Sequence, residues 1–176
     1  MTNIVRTLLV IFSLLFFWCS TSSAAEEESY RISFLGGQVN IEFRPEKTPD
    51  GDGIGAYITG VREKGPIRVD YYEPEGGVTP DVKSVFVTGR KPKKLFVIVA
   101  WSADSSALAT GGSIYQVFAY DERIEKDGKS PQLHQDTDLT KRFGVGFDGT
   151  REGHLVTYKY KNALAVRRQI LEWGYK

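Results

Sequence analysis

Hydrophobic and polar residues alternate along much of the chain, which is the pattern of half-buried β-strands. The clearest example is a pair of runs, Tyr30–Phe34 and Val39–Phe43, on either side of Gly36-Gly37. Two alternating runs joined by a glycine pair predict an antiparallel hairpin with a two-residue turn. A register with Leu35 opposite Gln38 would place the apolar side chains of both runs on one face, so we expect one buried and one solvated face.

Five further runs predict strands at hairpin-like spacing. They are Ile54–Glu63, Ile67–Glu73, Val82–Thr88, Leu95–Trp101 and Ser113–Tyr120. Every residue from Leu95 to Trp101 is apolar, as is typical of an interior strand that is covered on both faces. We therefore expect this strand to lie at the centre of the core.

The period of the pattern changes at the C-terminus, where apolar residues recur at helical spacing. This stripe consists of Ala163, Val166, Ile170 and Trp173. Asn162 and Gly174 are suitable residues for the N-cap and the C-terminal stop of such a helix. The sequence thus predicts an α+β fold, in which a curved antiparallel sheet of about six to eight strands, mostly hairpins, packs against one C-terminal α-helix.

The first 25 residues have a different pattern. Arg6 carries the only charge before the apolar run Leu8–Trp18, which only Ser13 interrupts, and small residues follow. This order predicts a secretory signal peptide that is cleaved after Ala24 or Ala25. A membrane-spanning helix needs about 20 apolar residues and this run has roughly half of them, so we expect no stable membrane span after cleavage.

Export and composition limit the chemistry of the mature chain. Cys19 is the only cysteine, and the bulky Trp18 before it is unlike the small residues of a lipoprotein acylation site. Residues 26–176 therefore lack disulfides, thiol nucleophiles and thiolate metal ligands. At ~150 residues they can bury enough surface to form a single β-rich domain in the periplasm or outside the cell.

The charge balance argues against a nucleic-acid partner. Loss of Arg6 with the signal peptide leaves 22 basic and 22 acidic residues, whereas nucleic-acid-binding domains usually have a basic excess. Four of the basic residues cluster around Pro92. We interpret this cluster, which consists of Arg90, Lys91, Lys93 and Lys94, as a solvated hairpin tip.

Two glycine-rich motifs lack the surrounding sequence that a nucleotide site or a calcium site requires. Gly144, Gly146 and Gly149 spell G-x-G-x-x-G, but no helix opens after them, so we predict no dinucleotide cofactor and a loop with a turn at Asp148-Gly149. The segment Asp50–Gly55 begins like a calcium loop but lacks the later oxygen ligands, which favours a solvated turn. Three other carboxylates would bind a cation only if the fold gathered them. They are Asp136, Asp138 and Asp148.

No catalytic residue is predicted. The residue types of a serine hydrolase are present, but no G-x-S-x-G elbow accompanies them. They are Ser102, Asp104, Ser105, Ser106, Ser113 and His154. The sequence also gives no diagnostic pair of acidic residues for acid–base catalysis.

The stretches Ser102–Gly112 and Glu122–Gly153 are the least periodic parts of the chain, and long loops on a patterned scaffold often bind partners. Within them we expect one short helical turn over Asp138–Phe143, capped by Thr137 and ended by Gly144. Candidate binding residues come from these stretches and the residue that follows them. They are Asp104, Ser105, Ser106, Phe147, Asp148, Arg151 and His154.

These observations favour an exported, non-catalytic periplasmic protein that binds another envelope or secreted protein, for example as an inhibitor or immunity factor. A carrier of a small ligand or envelope component is the first alternative, and a hydrolase with an unrecognised site is the second. An apolar interior cavity would favour the carrier, a flat aromatic patch the binding protein, and a His/Ser/Asp cluster in a cleft the hydrolase.

Overall fold

The structure is a computed structural model that describes residues 28–61, 65–89, 93–124 and 131–175. The predicted signal peptide, Arg90, Lys91 and part of the stretch Glu122–Gly153 lie outside these residues. The described strands are antiparallel and form two sheets, and of the two α-helices one lies before the last two strands in the chain and the other after them. The predicted α+β class with a C-terminal helix is confirmed. The number of strands is ten rather than about six to eight, because stretches without alternation also form strands.

The first sheet has four strands in the spatial order β1-β2-β3-β4. They are β1 Glu28–Phe34, β2 Gly37–Thr48, β3 Gly51–Thr59 and β4 Ile67–Tyr72. The second sheet has six strands, five of them in the order β10-β9-β7-β6-β5, with β8 paired to β7. They are β5 Asp81–Thr88, β6 Lys94–Ser105, β7 Thr110–Ile124, β8 Pro131–Gln135, β9 Val145–Arg151 and β10 His154–Val156.

The predicted register of the first hairpin is wrong by two residues. The chain turns at Leu35-Gly36 and pairs Ser33 with Gln38, whereas we expected Gly36-Gly37 as the turn. Both turn residues have positive φ, 54° and 75°, which is the conformation that a type I′ hairpin turn requires. A shift of two residues leaves every side chain on its predicted face, so the alternation could not distinguish the two registers.

The two sheets pack face to face around the larger core. Its fully buried members include Phe34, Ile41, Ile58, Tyr72, Leu95, Val97, Val99 and Tyr120. The other face of the six-stranded sheet is covered by α1 Thr137–Phe143 and α2 Ala163–Glu172. This second core includes Phe96, Ile98, Val117, Leu139, Val166 and Ile170. Strand β6 contributes to both cores, which confirms the burial predicted for Leu95–Trp101.

The C-terminal helix begins and ends as predicted. The Asn162 side chain accepts a hydrogen bond from the Ala165 N–H, and Gly174 has a φ of 86° just after the helix. Trp173 is half-buried and packs on Phe143 with ring centroids 4.8 Å apart. Among the described residues, no helix has the length and hydropathy needed to cross a membrane.

Three local predictions about the least periodic stretches need correction. Helix α1 is capped by Asp136, not Thr137, because the Asp136 carboxylate accepts from the Leu139 N–H. Asp148 and Gly149 lie within β9, and the turn is at Glu152-Gly153, where φ is positive at both residues. The stretch Ser102–Gly112 is mainly the β6–β7 hairpin, with a short 3-10 turn over Ser106–Leu108.

The two charged or glycine-rich turns also differ from expectation. Lys93 donates to the Ser33 carbonyl, and Lys94 is buried, so the basic cluster is not simply a solvated tip. Asp50 lies in the β2–β3 turn as expected, but β3 begins at Gly51, so most of the segment Asp50–Gly55 is strand.

Candidate functional site

The six-stranded sheet extends further than the four-stranded sheet that covers it. Tyr72 of β4 packs on Phe118 of β7 with ring centroids 4.8 Å apart, so the outermost strand β4 lies above β7. Strands β9 and β10 continue the larger sheet beyond this point. Since neighbouring strands are ~4.8 Å apart, they form an uncovered ledge about 10 Å wide. We call this face of β9 and β10, on the side of the four-stranded sheet, the shelf.

An open cleft of about 530 Å³ lies where the edge of β4 meets the shelf. Its lining comes from the end of β4 and the segment after it, from β6 and β7, and from β8 and β9. The lining residues are Asp70, Tyr71, Tyr72, Glu73, Glu75, Trp101, Ile114, Gln116, Phe118, Gln135 and Val145. The cleft therefore combines aromatic rings, aliphatic side chains, amides and three carboxylates, but it includes no lysine, arginine or histidine.

A hydrogen-bonded chain of three side chains supports the cleft, with Asp70 and Tyr72 in its lining and the buried Tyr120 behind them. The Tyr120 hydroxyl donates to Asp70 Oδ2 at 2.6 Å, and the Tyr72 and Tyr120 hydroxyls are 3.0 Å apart. Because the Tyr120 proton is engaged by the carboxylate, the Tyr72 hydroxyl is the donor between the two tyrosines. Burial raises the pKa of both phenols well above the usual range, so both remain protonated donors.

This hydrogen-bonded chain also fixes the direction of Asp70. The second carboxylate oxygen of Asp70 accepts from the Tyr71 N–H at 2.8 Å, so both oxygens are held while the side chain stays half-buried. Asp70 is on the inner face of the four-stranded sheet, since it pairs with Ala56, which is 1% exposed. Its charge is therefore directed toward the cleft.

Trp101 anchors the chain segment that follows β4. Its indole Nε1–H donates to the Glu73 carbonyl at 2.9 Å, and only 6% of the residue is exposed. Beyond Glu73, an isolated bridge between Glu75 and Val78 closes a turn. The Glu73 and Glu75 side chains are exposed at the rim of the cleft. Together with Asp70 they make this edge electronegative.

Three of the sequence-predicted binding residues belong to the shelf. Phe147, Arg151 and His154 lie on the same side of their strands, as the pairing of Ile114 with Phe147 and of Arg151 with His154 requires. The glycine at position 112 leaves room for the Phe147 ring, because an added Cβ there would be 2.8 Å from Phe147 Cζ.

Ser105 and Ser106 lie at the tip of the β6–β7 hairpin, next to the shelf. The tips of this hairpin and of the β9–β10 hairpin are joined by two hydrogen bonds. Gly153 N–H donates to the Ala109 carbonyl, and Glu152 N–H donates to Thr110 Oγ1, both at 3.1 Å. The fold thus brings together the two stretches from which the candidate residues were chosen.

Asp104 and Asp148 lie on the opposite, helix-covered side of the sheet. Asp148 accepts two hydrogen bonds from the Lys161 ammonium, at 2.8 and 2.7 Å, and a third from the Tyr158 N–H. It therefore holds the segment that leads into α2. Asp104 accepts from the Ser102 hydroxyl at 2.7 Å.

The hydrolase residue types are separated by the sheet. Ser102 and Ser113 pair with each other on the helix side, because their neighbours Trp101 and Ile114 face the other sheet. His154 lies on the shelf side. The sheet therefore separates its imidazole from the Ser102 and Ser113 hydroxyls and from Asp104. Ser105 and Ser106 lie at the tip of the β6–β7 hairpin, but Asp104 is across the sheet from His154, so these residues do not form a Ser-His-Asp triad.

The three aspartates considered for a cation have different roles. Asp138 is exposed in the first turn of α1, where a negative charge is favourable for the helix. Asp136 accepts from Lys94 at 2.7 Å and caps α1, while Asp148 pairs with Lys161. Across the described ranges, no group of three or more His, Cys, Asp or Glu residues is arranged to hold a metal ion.

Each glycine of the G-x-G-x-x-G motif has a structural reason, which is backbone conformation at Gly144 and close packing at Gly146 and Gly149. Gly144 has a φ of 69° where α1 ends, and the Tyr158 ring covers Gly146, where an added Cβ would be 2.1 Å from Cδ2. Gly149 lies against Gly112 of β7, with an added Cβ 2.7 Å from the Gly112 Cα. The motif therefore supports close packing of β9 with its neighbours.

Sequence reasoning missed the acidic and aromatic half of the site. Asp70, Glu73 and Trp101 come from segments about 30 residues apart in the chain, and no local motif connects them. The only local signal is the adjacent pair Tyr71-Tyr72, because strand alternation places two neighbouring aromatic side chains on opposite sheet faces. Comparison of the chain with protein-family models, curated proteins and solved structures found no match.

Proposed function

We propose that this is an exported, non-catalytic periplasmic protein that binds another protein through the shelf and the adjoining cleft, for example as an inhibitor or immunity factor. The single observation that carries the proposal is the uncovered apolar surface of the shelf. Val145 is 62% exposed and Val156 is 37% exposed, with the half-buried Phe147 between them. Contiguous exposed apolar residues rimmed by polar ones are typical of protein-binding surfaces.

The composition of the cleft supports the same function. Aromatic residues are enriched at the centres of protein interfaces, and here Trp101 and Phe118 line the cleft beside the shelf. The Trp101 and Asp70 side chains are held in place by half-buried hydrogen bonds to the Glu73 carbonyl and the Tyr120 hydroxyl. A preorganised surface loses less conformational entropy when a partner binds.

A pair of matched variants tests the binding surface. Val145→Glu adds a charge to the shelf, and Leu171→Glu adds the same charge to α2 at a residue that is 65% exposed. Affinity capture from envelope extract with the purified protein should yield a specific partner that Val145→Glu loses and Leu171→Glu retains. Equal capture by both variants would exclude the shelf as the binding surface.

The export part of the proposal rests on the sequence of residues 1–25 alone. Mass measurement of the protein from the envelope fraction should give a chain that begins at Ala25 or Glu26 and carries no lipid. A chain that retains Cys19 with acyl groups would contradict this expectation.

A carrier of a small ligand is the second candidate, and the cleft is the observation that favours it. Its volume of about 530 Å³ is comparable to that of small-molecule sites. Native mass spectrometry of the protein from the envelope fraction would detect a co-purified small molecule. Such a molecule, together with no captured protein, would favour the carrier over the protein-binding function.

A further inference from the structure

The outer edge of β4 is free to pair with another strand. In the described part of the chain, β4 pairs with β3 on one side and with no strand on the other. A free edge presents unpaired backbone N–H and C=O groups to a further strand. Within Asp70–Tyr72 the Tyr71 N–H is already engaged by Asp70 Oδ1, so an added strand would pair with the other backbone groups of this edge. The bulge at Val69 interrupts the regular edge at one end, which leaves Asp70–Tyr72 and the residues after it.

The shelf lies beneath the position that a strand added to β4 would occupy, so the inward side chains of that strand could pack on it. Because β4 lies above β7, the next position in the four-stranded sheet lies above β9, one strand spacing of ~4.8 Å away. Packed sheets are ~10 Å apart, the distance that inward side chains from both sheets fill. Inward side chains of an added strand would therefore contact Val145 and Phe147.

The charge of this edge specifies one feature of the occupant. Asp70 is directed inward from β4, and Glu73 and Glu75 follow it at the rim. Since the cleft lining includes no basic residue, a cationic side chain on the added strand would meet only opposite charge there. Lysine and arginine have long apolar stems that suit a half-buried position of this kind.

We propose that an extended segment of the partner protein adds to β4 as a fifth strand of the four-stranded sheet. Its alternate apolar side chains pack on the shelf, and one Lys or Arg side chain pairs with Asp70. This inference rests on the proposed protein-binding function and names the chemistry of the partner. Strand addition of this type derives affinity from backbone hydrogen bonds and specificity from alternate side chains.

A displayed library of random nine-residue peptides, selected on the protein purified from the envelope fraction, tests the proposal. We expect selected peptides to alternate apolar and polar residues and to share one basic residue. Amide hydrogen exchange at Asp70–Tyr72 should slow when a selected peptide is bound. Val145→Glu should weaken peptide binding at least about tenfold, whereas Leu171→Glu should leave it unchanged.

Charge variants test the basic residue separately. Asp70→Asn should weaken binding by about tenfold, and Glu73→Gln, at an exposed side chain, by about threefold. Glu172→Gln on α2 is the matched control and should have no effect. Replacing the basic residue of the peptide by Gln should abolish the difference between Asp70→Asn and the unchanged protein.

The outcomes separate this inference from the proposed function. Selected peptides without a basic residue, equal binding to Val145→Glu, unchanged exchange at β4, or failure to select any peptide would overturn strand addition. Each of these results leaves the protein-binding function standing if affinity capture still yields a partner that depends on Val145. Loss of that dependence would instead overturn the proposed function itself.

Discussion

The hydrogen-bonded chain at the cleft wall gives a quantitative prediction about tyrosine hydroxyl groups. Tyr120→Phe removes the donor to Asp70 and leaves the buried Tyr72 hydroxyl without its acceptor. A hydrogen bond to a charged group is worth about 1.5–3 kcal/mol, and an unsatisfied buried hydroxyl costs about 1–3 kcal/mol. Together these two effects predict a loss of about 2.5–6 kcal/mol in the free energy of unfolding.

Tyr72→Phe alone should have a smaller effect. The Tyr120 hydroxyl keeps its bond to Asp70 and loses only a neutral donor, so the expected loss is about 0.5–1.5 kcal/mol. In the double variant both hydroxyls are absent and no orphan donor remains. The double variant should therefore be no less stable than Tyr120→Phe, with a coupling energy of at least about 1 kcal/mol.

Urea unfolding of the four proteins, followed by circular dichroism, measures this cycle. Tyr115→Phe, at a half-buried ring that stacks on Tyr158, is the matched control and should change stability by no more than about 0.5 kcal/mol. Additive effects of Tyr72→Phe and Tyr120→Phe, within about 0.5 kcal/mol, would refute the assigned direction of the hydrogen bonds.

Three further predictions concern the scaffold of the site. Burial favours a higher pKa for Asp136, but its hydrogen bonds with Lys94 and the helix backbone outweigh burial and lower the pKa. The stabilisation from Asp136 should be present above its unfolded-state pKa of about 3.9 and be lost as pH falls through its lower folded-state pKa. Asp136→Asn should therefore reduce the dependence of the free energy of unfolding on pH at acidic pH. Gly146→Ala should displace the Tyr158 ring and destabilise the protein by about 1–3 kcal/mol in thermal unfolding, because the added Cβ would be 2.1 Å from that ring. Asn162→Ala should cost about 1 kcal/mol in urea unfolding through loss of the α2 N-cap.

Each of these predictions has a control or a contradicting result. An unchanged acid profile in Asp136→Asn would contradict the folded-state ion pair. Gly37→Ala places a methyl group where no atom lies within 4 Å, and it should be far less destabilising than Gly146→Ala. Asn162→Asp should keep the cap, and a loss equal to that of Asn162→Ala would argue against it.

Periodicity determined most of the local structure of this protein. The unbroken apolar run of β6 predicted burial on both faces, because only a strand between two layers can hide side chains in both directions. The stripe from Ala163 to Trp173 predicted α2, and Asn162 predicted its start through local hydrogen bonding. The helix and its N-cap depend on interactions between residues that are close in the chain, so they can be predicted from the sequence alone.

Features that depend on turn geometry and weak alternation were less accessible. The first hairpin shifted by two residues because Leu35-Gly36 adopts the turn, and period-two patterns are unchanged by such a shift. The sequence predicts a loop where β9 forms, because the glycines of β9 interrupt the alternation of apolar and polar residues. Gly146 leaves space for the Tyr158 ring and Gly149 allows close approach of β7, and both of these neighbours are distant in the chain.

The candidate site was decided by tertiary structure. The sequence identified Phe147, Arg151 and His154 as surface candidates, but it did not connect them with Asp70, Glu73 or Trp101. The shelf exists because the six-stranded sheet is wider than the four-stranded sheet. The four-stranded sheet ends at β4, which lies above β7, whereas the other sheet continues past β7 with β9 and β10. Strand pairing across tens of residues is set by global packing, since no local pattern of side chains encodes which edges remain uncovered.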